Sequence, residues 1–579
     1  MWSQVARKRT LRPSAVLLVF AHILYTLFLY EYLFSLQADN IWLPSCVLPL
    51  SILSLSSVSL VLYLSLDKYS DSFLCLWIYF VSLTLLSVPF VRFPLLWGTD
   101  ALEEYMVSKA TLLSGRIPLE KIELTPYAGC LSVTAWPSII STVLSIDLMT
   151  MYRVIFPAAS SLSPVVLYLL VKRMFQRKDI AFLASVFFLS NYFFTFLLSY
   201  IWRQQISQLF ILLSLYVLEL NWTRKRSLTA FTLIFLGSAV FSHYTTSYTV
   251  LPLFVAFFLP SLFIRRTSTD LSTGSRYTSH IVLCYLVLLF SWQIFINFTP
   301  LTETIEIISR IQKTLFRFDE VQVQVTYAIR GYPSNAILYH WLQVELLVGL
   351  AGAFVFWKKE KQKKVMQSGW FTNTCFWYLI LLLLIVMPSF SRALYTDRFV
   401  SYALVFIVVP ISYLLTKLDV WAKPRAHFER RVIKALVILF VFLYIPINMN
   451  VFSTGNLFYH SENETGTKPE IIAWPILRES QLGFADWLNL YASNKIVSVD
   501  LLGMRIAKIG GIRYDRVDYP RSEGYLIMHT WFYESGLWIH YGPQYEYLYY
   551  PSEKRTFENT QLETNILFST KTYRLFQSP

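Results

Sequence analysis

Long apolar runs separated by short polar loops fill the first three quarters of the chain. Runs near 14–36, 43–65, 72–91, 150–171 and 180–201 reach or approach the roughly 20 residues that a helix needs to cross a bilayer. A further run follows the turn at Arg203 and ends at Arg224-Lys225-Arg226, and a hairpin over 227–264 turns at Ser242-His243-Tyr244-Thr245-Thr246. Later runs lie near 279–298, just before Lys358, and near 370–389, 399–416 and 432–448. None alternates polar and apolar residues as a transmembrane barrel strand would. The pattern predicts a membrane all-α fold over residues 1–448, a polytopic bundle of about 13 transmembrane helices.

Charge in the loops orients the bundle. Arg7, Lys8, Arg9 and Arg12 precede the first run, whose length and lack of a small-residue cleavage site read as a retained anchor. With that end cytoplasmic, nearly every inner loop is basic: Lys172, Arg173, Arg177 and Lys178; Arg224 to Arg226; Arg265-Arg266; Lys358 to Lys364; Lys423, Arg425, Arg430 and Arg431. This is the positive-inside distribution. It accounts for the net charge of +14, so nothing in that charge points to nucleic acid. From Val451 onward the balance reverses, with 12 Lys and Arg against 14 Asp and Glu, a net of −2. A mean hydropathy of +0.48 and 15% charged residues agree with the membrane reading, since soluble domains carry roughly 25%.

Two outer segments stand apart. Residues 92–148 form the first extracytoplasmic loop, with a half-apolar, Pro-broken stretch from Tyr127 to Leu148 that reads as an interfacial helix. Residues 449–579 form a small C-terminal extracytoplasmic α+β domain. There Leu482 to Ala492 reads as an amphipathic helix, Ile496 to Val499 and Gly524 to Thr530 as strands, and Gly503 to Lys508 as part of a helix. The aromatic run from Trp531 to Tyr550 could anchor at the membrane surface or line a sugar cleft, and Asn463-Glu464-Thr465 is a glycosylation sequon. Cys46, Cys75, Cys130, Cys284 and Cys375 are scattered through apolar stretches without metal-ligand spacing, and read as small core residues.

The candidate chemistry lies at the outer face. Gly98-Thr99-Asp100-Ala101-Leu102-Glu103-Glu104-Tyr105 opens the first loop. Asp100 and Glu104 share one helical face, with Glu103 beside it. Two such carboxylates can raise one another's proton affinity and make a base. They can hold a divalent cation, or they can be a solvated loop helix. Arg203, in Trp202-Arg203-Gln204-Gln205, can make paired hydrogen bonds to a phosphate or snorkel to headgroups. His243 and Tyr244 occupy another outer turn, where the His can bind phosphate, transfer a proton or serve structure. Arg392 and Arg398 flank Asp397 in a third turn, as phosphate ligands or local ion-pair partners; Glu303, Glu306 and Arg330 make weaker candidates in a second outer loop. No Walker loop, Rossmann fingerprint, His-Glu-x-x-His or Gly-x-Ser-x-Gly elbow occurs, so nucleotide-driven chemistry has no support.

These motifs resemble the GT-C superfamily of polytopic membrane glycosyltransferases, and more closely an uncharacterised archaeal-type group of multi-pass proteins. The resemblance rests on Gly98, Asp100, Glu104 and Tyr105 after an early span, on Arg203-Gln204 starting a span, and on the Ser242-His243-Tyr244-Thr245-Thr246 turn. It implies sugar transfer from a polyprenyl-phosphate donor to a glycan, lipid or protein acceptor on the outer side, inverting the anomeric centre. Asp100 would be the general base. Glu104 would assist, Arg203 and His243 would stabilise the phosphate, and Glu103, Tyr105, Gln204 and Tyr244 would support them. No cofactor is implied, and a divalent metal stays open. The chain departs from the pattern at Ala101, where a His often follows the Asp, and Glu103 leaves the carboxylate alignment ambiguous by one position. A lipid-linked glycan polymerase or ligase, a transporter or flippase, and a non-catalytic subunit are the competing readings.

Overall fold

The computed structural model describes residues 47–92, 99–117, 125–191, 201–224, 228–244, 246–248, 271–296, 344–356, 396–421 and 427–448, a few isolated positions between them, and seven strands within 497–577. The span expected at 14–36, the second outer loop with Glu303, Glu306 and Arg330, most of 370–389, Arg392, the sequon and the helices expected at 482–492 and 503–508 lie outside these residues. The chain divides into two compact units, residues 1–92 with 107–472, and residues 93–106 with 473–579.

The first unit is helical. Its main elements are α1 (Val47–Leu64), α2 (Asp71–Arg92), α3 (Thr99–Ser114, entering this unit at Val107), α4 (Ala135–Leu144), α5 (Leu148–Phe175), α6 (Lys178–Leu189), α7 (Trp202–Arg224), α8 (Thr229–Ser242), α9 (Leu271–Phe295), α10 (Val344–Phe356), α11 (Thr396–Trp421) and α12 (His427–Asn448). Among the described residues, α5 is the one helix long and apolar enough by length and composition to cross a membrane. It starts where the Asp147 carboxylate accepts from the Thr150 N–H at 3.2 Å, a cap that satisfies an otherwise unpaired donor. It ends with Lys172 and Arg173 at the negative end of the helix dipole. Near its start, Pro157 has no N–H for the Arg153 carbonyl. The chain widens there into a π turn over Met151–Ile155, with the Phe156 N–H bonded to Met151 O.

At the centre lies α6. Every residue from Ile180 to Leu189 is buried, as a helix apolar all round should be. It packs on α5 and α11, while α7 packs on α8 and α5, and α8 on α9. The interhelical contacts are largely aromatic: Trp77 tilts against Phe182, and Phe187 stacks on Tyr444 at 3.9 Å. Serines tie α3 to α4, where Ser108 Oγ donates to Thr134 O at 2.9 Å and Ser138 Oγ to Ser108 O at 2.8 Å. Small residues here let the backbones approach closely. The interfacial reading of Tyr127 to Leu148 resolves into a single helical turn, Thr125–Ala128, and the ten-residue α4.

The outward faces identify the solvent. On α9, Ile281, Tyr285, Leu289 and Gln293 face inward, while Leu283, Val287, Phe290 and Ile294 are 39–61% exposed. On α12, Val437, Val441 and Tyr444 are buried, while Val432, Leu436, Leu439 and Leu443 are exposed. Helices apolar on both faces suit lipid, because continuous apolar stripes of this size are unfavourable in water.

Two contacts give testable consequences. Gly352 of α10 lies against Pro410 of α11. A Cβ at that glycine would fall 2.3 Å from the Pro410 carbonyl oxygen, and a backbone atom cannot swing away as a side chain can. Gly352→Ala should therefore destabilise the bundle by about 1–3 kcal/mol. Thermal unfolding in detergent tests this, and an unchanged melting temperature contradicts the packing.

At the other contact, Asp71 at the start of α2 bonds Lys172, receives the Tyr168 hydroxyl at 2.8 Å and lies 3.7 Å from Lys178 Nζ. Burial pushes the Asp71 carboxyl up. The Lys172 and Tyr168 hydrogen bonds and the Lys178 and Lys172 charges outweigh it and hold the carboxyl below its usual range. A depressed folded value stabilises the protein above the ordinary value of 3.8, and that contribution is lost as pH falls through the lower folded value. Melting temperature measured below pH 4 should fall more steeply in wild type than in Asp71→Asn.

In the second unit the described C-terminal residues form strands. These are β1 (Val497–Val499), β2 (Tyr514–Arg516), β3 (Tyr525–His529), β4 (Leu537–Tyr541), β5 (Tyr547–Pro551), β6 (Asn565–Ser569) and β7 (Tyr573–Gln577). Five of them make a mixed sheet in the order β2-β1-β3-β7-β6, with β1 parallel to both neighbours and β7 antiparallel to both of its own. β1 and β3 fall where the alternation predicts strands. Parallel pairing of β1 with β2 needs a crossover between them. The aromatic run from Trp531 folds back as the β4–β5 hairpin, with Trp538 opposite Tyr550 and Tyr541 opposite Tyr547.

Candidate functional site

The start of α7 is a polar and buried place among the described residues of the first unit. Trp202, Arg203, Gln204, Gln205, Ser207 and Gln208 are all buried, with Arg203 only 1% exposed. The Arg203 guanidinium carbon lies 4.4 Å from the centroid of the Tyr127 ring. A planar cation over an aromatic face is held in orientation. The N-terminus of α7 adds the positive end of a helix dipole to the guanidinium charge, so the two fields reinforce one another for an anion. Gln205 fixes the entry to the helix, its Nε2 donating to Phe194 O at 2.7 Å.

His243 lies at the same end of the α7–α8 hairpin. Ser207 Oγ donates to Ala239 O at 3.1 Å, and the His243 N–H bonds that carbonyl as well. Arg203 is one turn before Ser207 on α7, and His243 one turn after Ala239 on α8. The imidazole is buried, and Nδ1 lies 2.5 Å from Thr246 Oγ1 and accepts from the Thr246 N–H at 3.2 Å. An Nδ1 that accepts a backbone proton has its lone pair available. Tyr244 lies against the ring, with centroids 4.9 Å apart. Ser247 Oγ closes the turn onto His243 O at 2.8 Å.

The acidic residues belong to the second unit. Asp100, Glu103, Glu104 and Tyr105 lie on the first turns of α3, and Asp100 and Glu104 share a face as their spacing predicts. Their burial differs: Glu104 is completely buried, whereas Asp100, Glu103 and Tyr105 are partly exposed. A carboxylate out of water must be paired, hydrogen-bonded or protonated, so Glu104 is suited to holding position. The more accessible Asp100 can meet a substrate. Gly98 lies outside the described residues, as does Arg392, and Arg398 is placed only by its backbone in the first turn of α11. Among the described residues no group of three or more His, Cys, Asp or Glu could hold a metal ion.

Tyr127 and Gln208 belong to this polar end but carry no recognisable motif. Gln208 repeats Gln204 one turn on, in a helix that is apolar further along, and that repeat is the signal that marks it.

The helical fold of this chain, with a polar helix start at one end of a hairpin, recurs in a solved glycosyltransferase. The chain shares its fold with the archaeal oligosaccharyltransferase AglB from Archaeoglobus fulgidus, a GT-C protein solved in complex with an inhibitory peptide and a dolichol-phosphate. The TM-score is 0.51 at 13% identity, covering 84% of this chain and 75% of that one. The apo form of the Archaeoglobus fulgidus oligosaccharyltransferase aligns at a TM-score of 0.48 and 12% identity, over 84% of this chain and 75% of that one. ArnT from Cupriavidus metallidurans, bound to undecaprenyl phosphate, aligns at 0.43 and 11%, over 89% of this chain and 97% of that one. No family model matches the sequence, and no curated protein matches it. The resemblance to the GT-C superfamily seen in the motifs is thus met by the fold.

Proposed function

We propose that this chain is an integral membrane glycosyltransferase. It moves a sugar from a polyprenyl-phosphate carrier to an acceptor hydroxyl or amide on the extracytoplasmic side. The observation that carries the proposal is Arg203, buried at the positive end of α7 and seated over Tyr127, an arrangement made for an anion such as the phosphate of a lipid carrier. The fold shared with AglB, which was solved with a dolichol-phosphate and a peptide, supports both a lipid carrier and an acceptor that is not itself a lipid.

In this reading Asp100 takes the proton of the acceptor as its oxygen or nitrogen attacks the anomeric carbon. The bond from that carbon to the phosphate oxygen breaks, the electron pair leaves with the polyprenyl phosphate, and the anomeric centre inverts. Arg203 and His243 stabilise the charge that grows on the phosphate. Glu104 positions, with Glu103, Tyr105, Gln204 and Tyr244 in support, and Arg398 and Arg392 extend the basic character of the donor side. The bundle has about 13 spans, a cytoplasmic N-terminus, and an extracytoplasmic α+β domain at 449–579, so the product is a surface glycan or glycoprotein.

Native mass spectrometry with dolichol phosphate tests the donor side. Wild type should retain the lipid and Arg203→Gln should retain markedly less. Failure of wild type to hold it at saturating lipid contradicts the proposal.

A further inference from the structure

Gln293 is the one carboxamide among the described residues whose nitrogen and oxygen are both buried and without a hydrogen-bond partner. The side chain is 0% exposed. It lies on the inward stripe of α9 with Ile281, Tyr285 and Leu289, spaced four apart. That stripe is anchored at two levels. The Tyr285 hydroxyl donates to Ser247 O at 2.8 Å, four residues beyond His243. Beside Gln293, Trp292 Nε1 donates to Gly129 O at 3.3 Å, and its ring meets Phe241 edge-on at 4.6 Å. Gly129 follows Tyr127, the ring under Arg203, and Phe241 precedes His243. The turn of α9 that carries Gln293 therefore lies beside the segments that carry Tyr127 and His243.

Buried polar groups are nearly always satisfied, and a carboxamide offers two donors and an acceptor. One unmatched at both ends, in a helix otherwise apolar on this stripe, needs an occupant that donates and accepts together. A phosphate oxygen only accepts and would leave Gln293 Oε1 unmatched. Neighbouring hydroxyls of a sugar match both ends. We infer that Gln293 reads the sugar of the bound donor, its Nε2–H donating to one hydroxyl and its Oε1 accepting from the next. This inference rests on the glycosyltransferase reading and adds to it a residue that selects the glycosylated carrier over the bare one.

The test uses the full chain and Gln293→Met, which keeps the length of the side chain and removes both polar ends. Affinity is measured for dolichol phosphate and for its mannosyl- and glucosyl-linked forms, alongside melting temperature without lipid. The variant should lose roughly tenfold to a hundredfold in affinity for a glycosylated lipid. It should bind the bare lipid as wild type does, and melt at the same or a higher temperature. Equal losses for bare and glycosylated lipids, or no loss for either, overturn the inference. So does a lower lipid-free melting temperature, which makes the amide a structural element with a buried water. If wild type binds none of these lipids, the transferase reading itself fails and the inference with it.

Discussion

Arg203→Lys should reduce sugar transfer by about 10²–10³-fold, the effect of losing one well-placed donor to a developing oxyanion. Lysine keeps the charge but cannot lie flat over the Tyr127 ring or present a planar pair of donors. The loss should fall on kcat/KM with the fold intact, because the positive charge and much of the buried side-chain volume remain. Tyr127→Leu should give a smaller loss in the same direction, since it frees the guanidinium without removing it. Steady-state transfer and melting temperature together read the outcome. Wild-type kcat/KM in Arg203→Lys would remove the guanidinium from the mechanism.

Asp100→Asn should cut transfer by about 10²–10⁴-fold, the range for removal of a general base. The change is nearly isosteric at a partly exposed position, so stability should hardly move. Glu104→Gln separates the two carboxylates. Its side chain is completely buried, so the substitution disturbs position and folding before it disturbs proton transfer. A mechanism with Asp100 as base predicts a large rate loss with normal melting for Asp100→Asn, and a lowered melting temperature for Glu104→Gln. The reverse pattern would shift the base by one helical turn.

Much of this arrangement is legible in the residues. Basic loops and apolar runs locate α2, α5, α7, α8 and α12 to within a few residues, because hydrocarbon admits so few alternatives to a helix. Arg203 and His243 stand out because they lie at turns on the predicted outer side, away from the basic inner loops. Their common position at one end of the α7–α8 hairpin follows from the antiparallel path between them.

Other features are not readable in the same way. Tyr127 lies far from Arg203 in the chain, and nothing local distinguishes a tyrosine that supports a guanidinium from one at a membrane interface. Gln293 is visible as a polar residue in an apolar helix, yet only burial separates an inward amide from one turned to the headgroups. The placement of Asp100 to Tyr105 with residues 473–579, apart from the rest of the first outer loop, is a tertiary fact with no periodic trace. The close approach of Gly352 to Pro410 is likewise set by which helices meet, and a glycine in a span has many other uses.

The most direct test of the account is turnover: purified protein in liposomes, supplied with polyprenyl-phosphate-linked sugars labelled in the sugar, assayed for free polyprenyl phosphate and labelled product, with equally folded Asp100→Asn beside it. Wild type should release carrier phosphate together with labelled product, and the variant should release almost none. Movement of intact donor across the bilayer without release of phosphate, equal in both proteins, would contradict it and identify a flippase.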